Sequence, residues 1–168
     1  DPDTRPVVAR EYDVQAYGTV VIEHMGRRER VTTDTEQDLT KRLIKAPKIY
    51  WGDTGVALHL SDGEAPGGAH LENIVIGDLL AWRDARVERA ELSYWRTSIG
   101  EEVDVVIEAA GNLLPIEVKA GGRPRLGDAA HLRTFRAEYG KKARAGLLLH
   151  TGTTLEWLAP DVLAAPWW

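Results

Sequence analysis

The chain has 168 residues, 43% of them hydrophobic, with a formal net charge of −5; that content suits one compact domain with a small appendage, and the acidic balance argues against indiscriminate coating of nucleic acid. Without cysteine, disulfides, thiolate nucleophiles and cysteine-ligated zinc or iron–sulfur sites are excluded. No run of about eighteen apolar residues occurs, so no membrane span is expected, and with no signal peptide recognised a cytoplasmic location is the simplest expectation.

In chain order, residues 1–40 read as an N-terminal appendage, with strands expected at Val7-Val8-Ala9 and Thr19-Val20-Val21-Ile22 and a charged turn at Arg27-Arg28-Glu29-Arg30. This stretch holds nine acids against five basic residues and makes a poor nucleic-acid surface. Lys41, Arg42, Lys45 and Lys48 form a basic cluster entering a strand at Ile49-Tyr50-Trp51, closed by a Gly52-Asp53-Thr54-Gly55 turn in which Asp53 is a turn former. Residues 61–68 are a loop by composition. From Ala69 to Arg86, the residues Leu71, Ile74, Val75, Leu79 and Trp82 recur at helical spacing and predict one buried stripe; His70 and Asn73 read as packing or capping residues. Leu92 to Thr97 predicts a strand, and a β-hairpin follows. Beyond the turn-rich Gly121-Gly122-Arg123-Pro124-Arg125, Asp128 caps a predicted helix to Tyr139, with Leu132, Phe135 and Tyr139 on its buried side. Ala145 to His150 and Thr154 to Leu158 read as strands. A helix, three strands, a helix and two strands predict an α/β fold with a mixed central sheet flanked by helices.

The hairpin carries the chemistry. Alternation in Glu101–Glu108 and in Leu113–Lys119 has the period of two expected of strands, with Gly111-Asn112 as the turn signal. A two-residue turn there would set Asp104 opposite Lys119; a four-residue loop over residues 109–112 would set Asp104 opposite Glu117, where like charges repel unless a cation lies between them. Either register places Asp104, Glu117 and Lys119 on one face. Two carboxylates with an ammonium about 7 Å along the strand suit a hard divalent ion, and the lysine suits charge developing on a phosphate.

Asp104 followed by Glu117-x-Lys119 on the next strand resembles the PD-(D/E)XK signature of the restriction-endonuclease-like fold, without the proline before the aspartate. Together with Ala46–Gly55, His70-Leu71-Glu72-Asn73, Tyr94-Trp95-Arg96-Thr97 and Gly100–Asp104, the pattern over residues 41–168 is similar to the domain of unknown function at the C-terminus of many prokaryotic AAA-type ATP-binding proteins. The resemblance implies a restriction-endonuclease-like core and a Mg²⁺- or Mn²⁺-dependent nuclease acting on phosphodiesters, DNA more than RNA. It also implies an ATPase module encoded upstream, in keeping with a chain that starts at Asp1 and contains no phosphate-binding loop. Asp104 and Glu117 would bind metal with the Val118 carbonyl, Glu72 from the preceding helix would add a carboxylate, and Lys119 would help activate the attacking water.

Residues 119–144 hold eight basic residues against Asp128 and Glu138, a local strip suited to phosphate, with Arg123 and Arg125 nearest the hairpin and Arg96 on the strand before it as further contacts. Among the six tryptophans, Trp51, Trp82, Trp95 and Trp157 are expected to pack in the core, while Trp167 and Trp168 fold back or dock on a partner. No nucleophile elbow occurs, and the histidines lack metal-ligand spacing. The rival expectation is the same fold kept as a catalytically inactive interaction or regulatory module of an AAA-type ATPase, with the acids structural.

Overall fold

A computed structural model describes residues 19–24, 27–32, 48–61, 65–88, 90–97 and 99–168. Thr19–His24 (β1) and Arg27–Thr32 (β2) pair antiparallel as a two-stranded sheet. The expected charged turn at Arg27–Arg30 is therefore a strand, paired residue for residue with β1. The predicted strand at Val7–Ala9, and Lys41, Arg42 and Lys45 of the basic cluster, lie outside the described residues.

Residues 48–53 are not a strand. They lead into a short helix, Thr54–Leu60 (α1), whose N-terminus is capped by Asp53: its Oδ1 accepts from the Val56 N–H at 3.0 Å, meeting one of the four donors that a helix start leaves unbonded. Gly68–Asp84 (α2) begins in a similar way, His70 Nδ1 accepting from the Gly67 N–H at 3.1 Å. The face that α2 buries holds Leu71, Asn73, Val75, Ile76 and Arg83. Trp82 is left 39% exposed, with Arg86 stacked 4.9 Å from its ring centre.

The strands Glu91–Arg96 (β3), Glu102–Ala109 (β4), Asn112–Lys119 (β5), Gly146–His150 (β6), Glu156–Ala159 (β7) and Val162–Pro166 (β8) form one sheet in the order β3-β4-β5-β6-β8-β7. β5, β6 and β8 run parallel and the other pairs antiparallel, so the fold is α/β with a mixed six-stranded sheet. The hairpin turn is Ala110-Gly111, with φ of 49° and 74°, the left-handed geometry that matches strand twist. Ala109 pairs with Asn112, Glu108 with Leu113 and Val105 with Ile116, the register expected of the four-residue loop. The turn is shorter than the four-residue loop of that register because Ala110 accepts a positive φ, supported by Asn112 Nδ2 donating to the Ala110 carbonyl at 3.1 Å.

Strict alternation breaks in β4. Ser93 faces Val106 and Trp95 faces Val103, so β4 carries one residue more than β3 at Asp104–Val105. This bulge sends both Val103 and Val106 into one core cluster, with Leu132 and Phe135 of the helix Ala130–Tyr139 (α3), and Val105 into the other, with Ile76 of α2. Phe135 anchors the first cluster between Trp95, edge-on at 5.6 Å, and Tyr139, stacked at 4.3 Å. Trp157, expected in the core, is 63% exposed because β7 is the edge strand. Trp51 is 38% exposed for want of the strand predicted around it. The chain end returns to the sheet, the Trp167 N–H donating to the His150 carbonyl at 3.1 Å.

His150 is fully buried at the end of β6. Its Nδ1 accepts from the Gly152 N–H at 3.0 Å, so Nε2, 3.0 Å from the Thr154 carbonyl, carries the proton. This bracing presses Gly152 onto the loop after β5, where a Cβ at Gly152 would stand 2.0 Å from the Gly122 carbonyl oxygen. Gly152→Ala should therefore cost about 3 kcal/mol or more, the upper range for overpacking, while Gly122→Ala, whose Cβ would meet nothing nearer than 3.5 Å, should stay within about 0.5 kcal/mol; denaturant melts of the two variants check the contrast.

Candidate active site

Four side chains from three parts of the chain meet at one end of the sheet. Lys48, from the segment before α1, places its Nζ 2.9 Å from Glu72 Oε1 on α2, 2.5 Å from Glu102 Oε1 and 3.0 Å from Asp104 Oδ1 on β4. Tyr50 donates its hydroxyl to the same Glu72 oxygen. The bulge in β4 puts Asp104 where its second oxygen, Oδ2, accepts from the Val118 N–H of β5 at 2.9 Å, so this carboxylate closes the β4–β5 ladder as well as holding Lys48. Bulges commonly re-aim a side chain at a functional site.

On β5, Glu117 is only 4% exposed. Lys119 Nζ donates to its Oε1 at 2.6 Å, and its Oε2 is buried with no hydrogen-bond partner. Burial raises the Glu117 carboxyl to about 7, the Asp104 charge adds to the rise, and the hydrogen bond and charge of Lys119 only partly oppose it. For the two lysines, burial disfavours the ammonium, but the carboxylates prevail and hold both above the ordinary lysine range: Asp104, Glu72 and Glu102 for Lys48, and Glu117 and Asp104 for Lys119. Burial, and then the charge of Glu72, keep the Tyr50 phenol protonated as a donor.

Of the site residues predicted from sequence, Asp104, Glu117, Val118 and Lys119 are joined through the β4–β5 contact, and Glu72 joins Asp104 through Lys48. Arg96 points its Nε at Glu102 Oε2, 3.3 Å away. Arg123 and Arg125 lie exposed in the loop after β5, where the Arg125 N–H is tied to Asp128 Oδ2 at 2.7 Å. One member of the basic strip is structural: Arg136 pairs with Asp161 and donates to the Arg144 carbonyl at 2.7 Å. His70 and Asn73 serve as capping and packing residues; Asn73 accepts from the Trp51 N–H at 2.6 Å and donates to the Trp51 carbonyl at 2.9 Å.

Sequence reasoning missed Lys48, Tyr50 and Glu102. By composition Lys48 belongs to the basic cluster that enters Ile49-Tyr50-Trp51, yet its ammonium lies among the carboxylates. Glu102 stands two residues before Asp104 on the same strand, a spacing that offered a signal; nothing local links Lys48 to acids 24 and 56 positions away.

Whether these residues fit a divalent ion depends on Lys48. The unpartnered Glu117 Oε2 is an acceptor that such an ion would satisfy, but Asp104 Oδ1 and Glu72 Oε1 are held by the lysine. Among the described residues, no three Asp, Glu or His side chains stand together in a metal-ligating arrangement.

The structure defines an α/β domain with a half-buried carboxylate and lysine cluster where β4 and β5 meet. Residues 67–168 match the family described as Domain of unknown function (DUF4143), and the chain belongs to it. The match includes Glu72, Asp104, Glu117 and Lys119 and begins after Lys48. No curated protein and no solved structure matched this chain. No helix of the described residues is long and apolar enough to cross a membrane.

The folded-state carboxyl of Glu117 lies above its ordinary value of 4.5, so the native protein holds a proton that the unfolded chain releases. That contribution to stability is complete below about pH 4.5 and is lost as pH rises through about 7. Glu117→Gln is neutral at every pH, so the Tm of the variant relative to wild type should climb between about pH 5 and pH 8 by the equivalent of roughly 2 kcal/mol. Thermal melts in chelator-containing buffer measure this, and a flat difference would contradict the assignment.

Proposed function

We propose that this domain is a divalent-metal-dependent nuclease of the PD-(D/E)XK type, acting on DNA phosphodiesters. The observation that carries the reading is the buried, unpartnered Glu117 Oε2 beside the Asp104 carboxylate and the Lys119 ammonium. Buried polar groups are almost always hydrogen-bonded, and an orphaned carboxylate oxygen next to a second carboxylate is what a hard cation would complete. The element order supports a restriction-endonuclease-like core: α2 precedes the antiparallel β3, β4 and β5, and α3 returns the chain to β6, parallel to β5.

Asp104 and Glu117 would hold Mg²⁺ or Mn²⁺ with the Val118 carbonyl, and Glu72 would add a carboxylate through water or a second ion. The ion would supply Lewis acidity and a nucleophilic water at neutral pH. Lys119, on its flexible stem and about 40% exposed, can turn from Glu117 toward the negative charge that grows on the scissile phosphate. Arg96, Arg123 and Arg125 would bind flanking phosphates, offsetting the net charge of −5. The reading places the domain in the cytoplasm, as effector of an AAA-type ATPase module encoded upstream.

A second reading, an inactive interaction or regulatory module, is favoured by one observation: Lys48 already compensates three of the acids. Calorimetric titration of Mn²⁺ separates the two. Nuclease function requires saturable binding that disappears in Asp104→Ala. In a DNA-cleavage assay Lys119→Ala should then lose about a hundredfold in rate with metal binding retained. Absence of binding in folded protein up to millimolar metal would leave the interaction module.

A further inference from the structure

We infer that Lys48 is the resident cation of the carboxylate cluster and that a divalent ion enters only by displacing its ammonium, an exchange that would gate the site. The inference rests on the metal-dependent reading above. It adds a positioning residue from a segment that precedes the family match.

Three features carry it. The ammonium lies within 3.0 Å of Glu72, Glu102 and Asp104 together and donates hydrogen bonds to Glu72 and Asp104, so two of the proposed metal-binding acids are already neutralised. The lysine has room to leave: it lines an open cavity of about 570 Å³ together with Tyr50, Trp51, Glu72 and Glu102. Its backbone, by contrast, is fixed nearby, because Asn73 grips the neighbouring Trp51 at both N–H and carbonyl. The exchange is therefore a swing of a four-carbon side chain, with no movement of the fold. Tyr50 keeps its hydroxyl on Glu72 throughout and holds that carboxylate in place once the ammonium has gone.

Within the cluster two cations compete for one set of oxygens. A bound divalent ion at Asp104 and the Lys48 ammonium would repel one another at the distances seen here, so the affinities of the two are linked and reciprocal. The swing also converts Lys48 from a counter-ion of acids into a free ammonium at the cavity mouth.

Mn²⁺ binding to the whole chain at one fixed pH, read by calorimetry and by the paramagnetic signal of free Mn²⁺, tests the exchange. Lys48→Gln removes the charge and keeps most of the stem, and should bind Mn²⁺ about tenfold more tightly than wild type, with the gain abolished by adding Asp104→Asn. Should Lys48→Gln fail to fold with its acids uncompensated, Glu102→Gln serves instead: it removes one partner of the ammonium and spares Glu72, Asp104 and Glu117, and it too should tighten binding. Equal or weaker binding in a folded variant, while wild type still binds at Asp104, overturns the gate and leaves the metal site standing. No binding by wild type or variant overturns both. Tighter binding in the variant without DNA cleavage upholds the exchange and removes the nuclease.

Discussion

The register of β4 against β5 is the constraint on which the site depends. Ala110 and Gly111, both at positive φ, make the tightest connection available to two antiparallel strands and set Val105 against Ile116. A slip of one residue would carry Glu117 to the other side of the sheet. β5 is an inner strand, yet it contains Pro115, which has no N–H to give. Its pairing with β6 starts only at Ile116 with Leu147, so the proline falls where no partner on that side needs a donor. At the far end the Asp104 side chain accepts the Val118 N–H, and the same carboxylate that marks the site closes the ladder.

The electrostatics follow from this geometry. Bringing Asp104 near Glu117 in a water-poor place creates repulsion that each acid relieves differently. Asp104 has both oxygens bonded, one to an ammonium and one to a backbone N–H, whereas Glu117 has one bonded oxygen and one bare. Two lysines on flexible stems, Lys48 and Lys119, flank the pair and share the task of neutralising it. Buried charges are tolerated when paired and hydrogen-bonded, and here Glu117 Oε2 is a buried oxygen that has no partner. Burial and then the Asp104 charge raise the Glu117 carboxyl, and the family match over residues 67–168 includes that residue.

Much of this was legible in the residues. Period-two alternation announced β4 and β5, helical spacing announced α2 and α3, and the rarity of acids in strands drew attention to Asp104 and Glu117. The errors have physical causes. Ile49-Tyr50-Trp51 looks like a strand by composition, but Asp53 caps a helix immediately after it. Trp82 keeps helical spacing with the buried residues of α2, yet the sheet is met by Ile76 with Leu79 and Leu80, and only packing decides which face that is. The bulge at Asp104–Val105 cannot be read from alternation because an inserted residue reverses the pattern without altering its composition.

What the sequence determined by itself was local: where helices and strands lie, that a tight turn joins two acid-bearing strands, and that Glu117 and Lys119 stand two residues apart on one of them. These follow from backbone sterics and periodicity, which act over a few residues. Tertiary structure alone decided that Lys48 enters the cluster of Glu72, Glu102 and Asp104, that Arg136 ties α3 to Asp161, and that one oxygen of Glu117 is left bare. Each of those depends on distances between segments far apart in the chain, which are set when α2 and α3 pack on the two faces of the sheet.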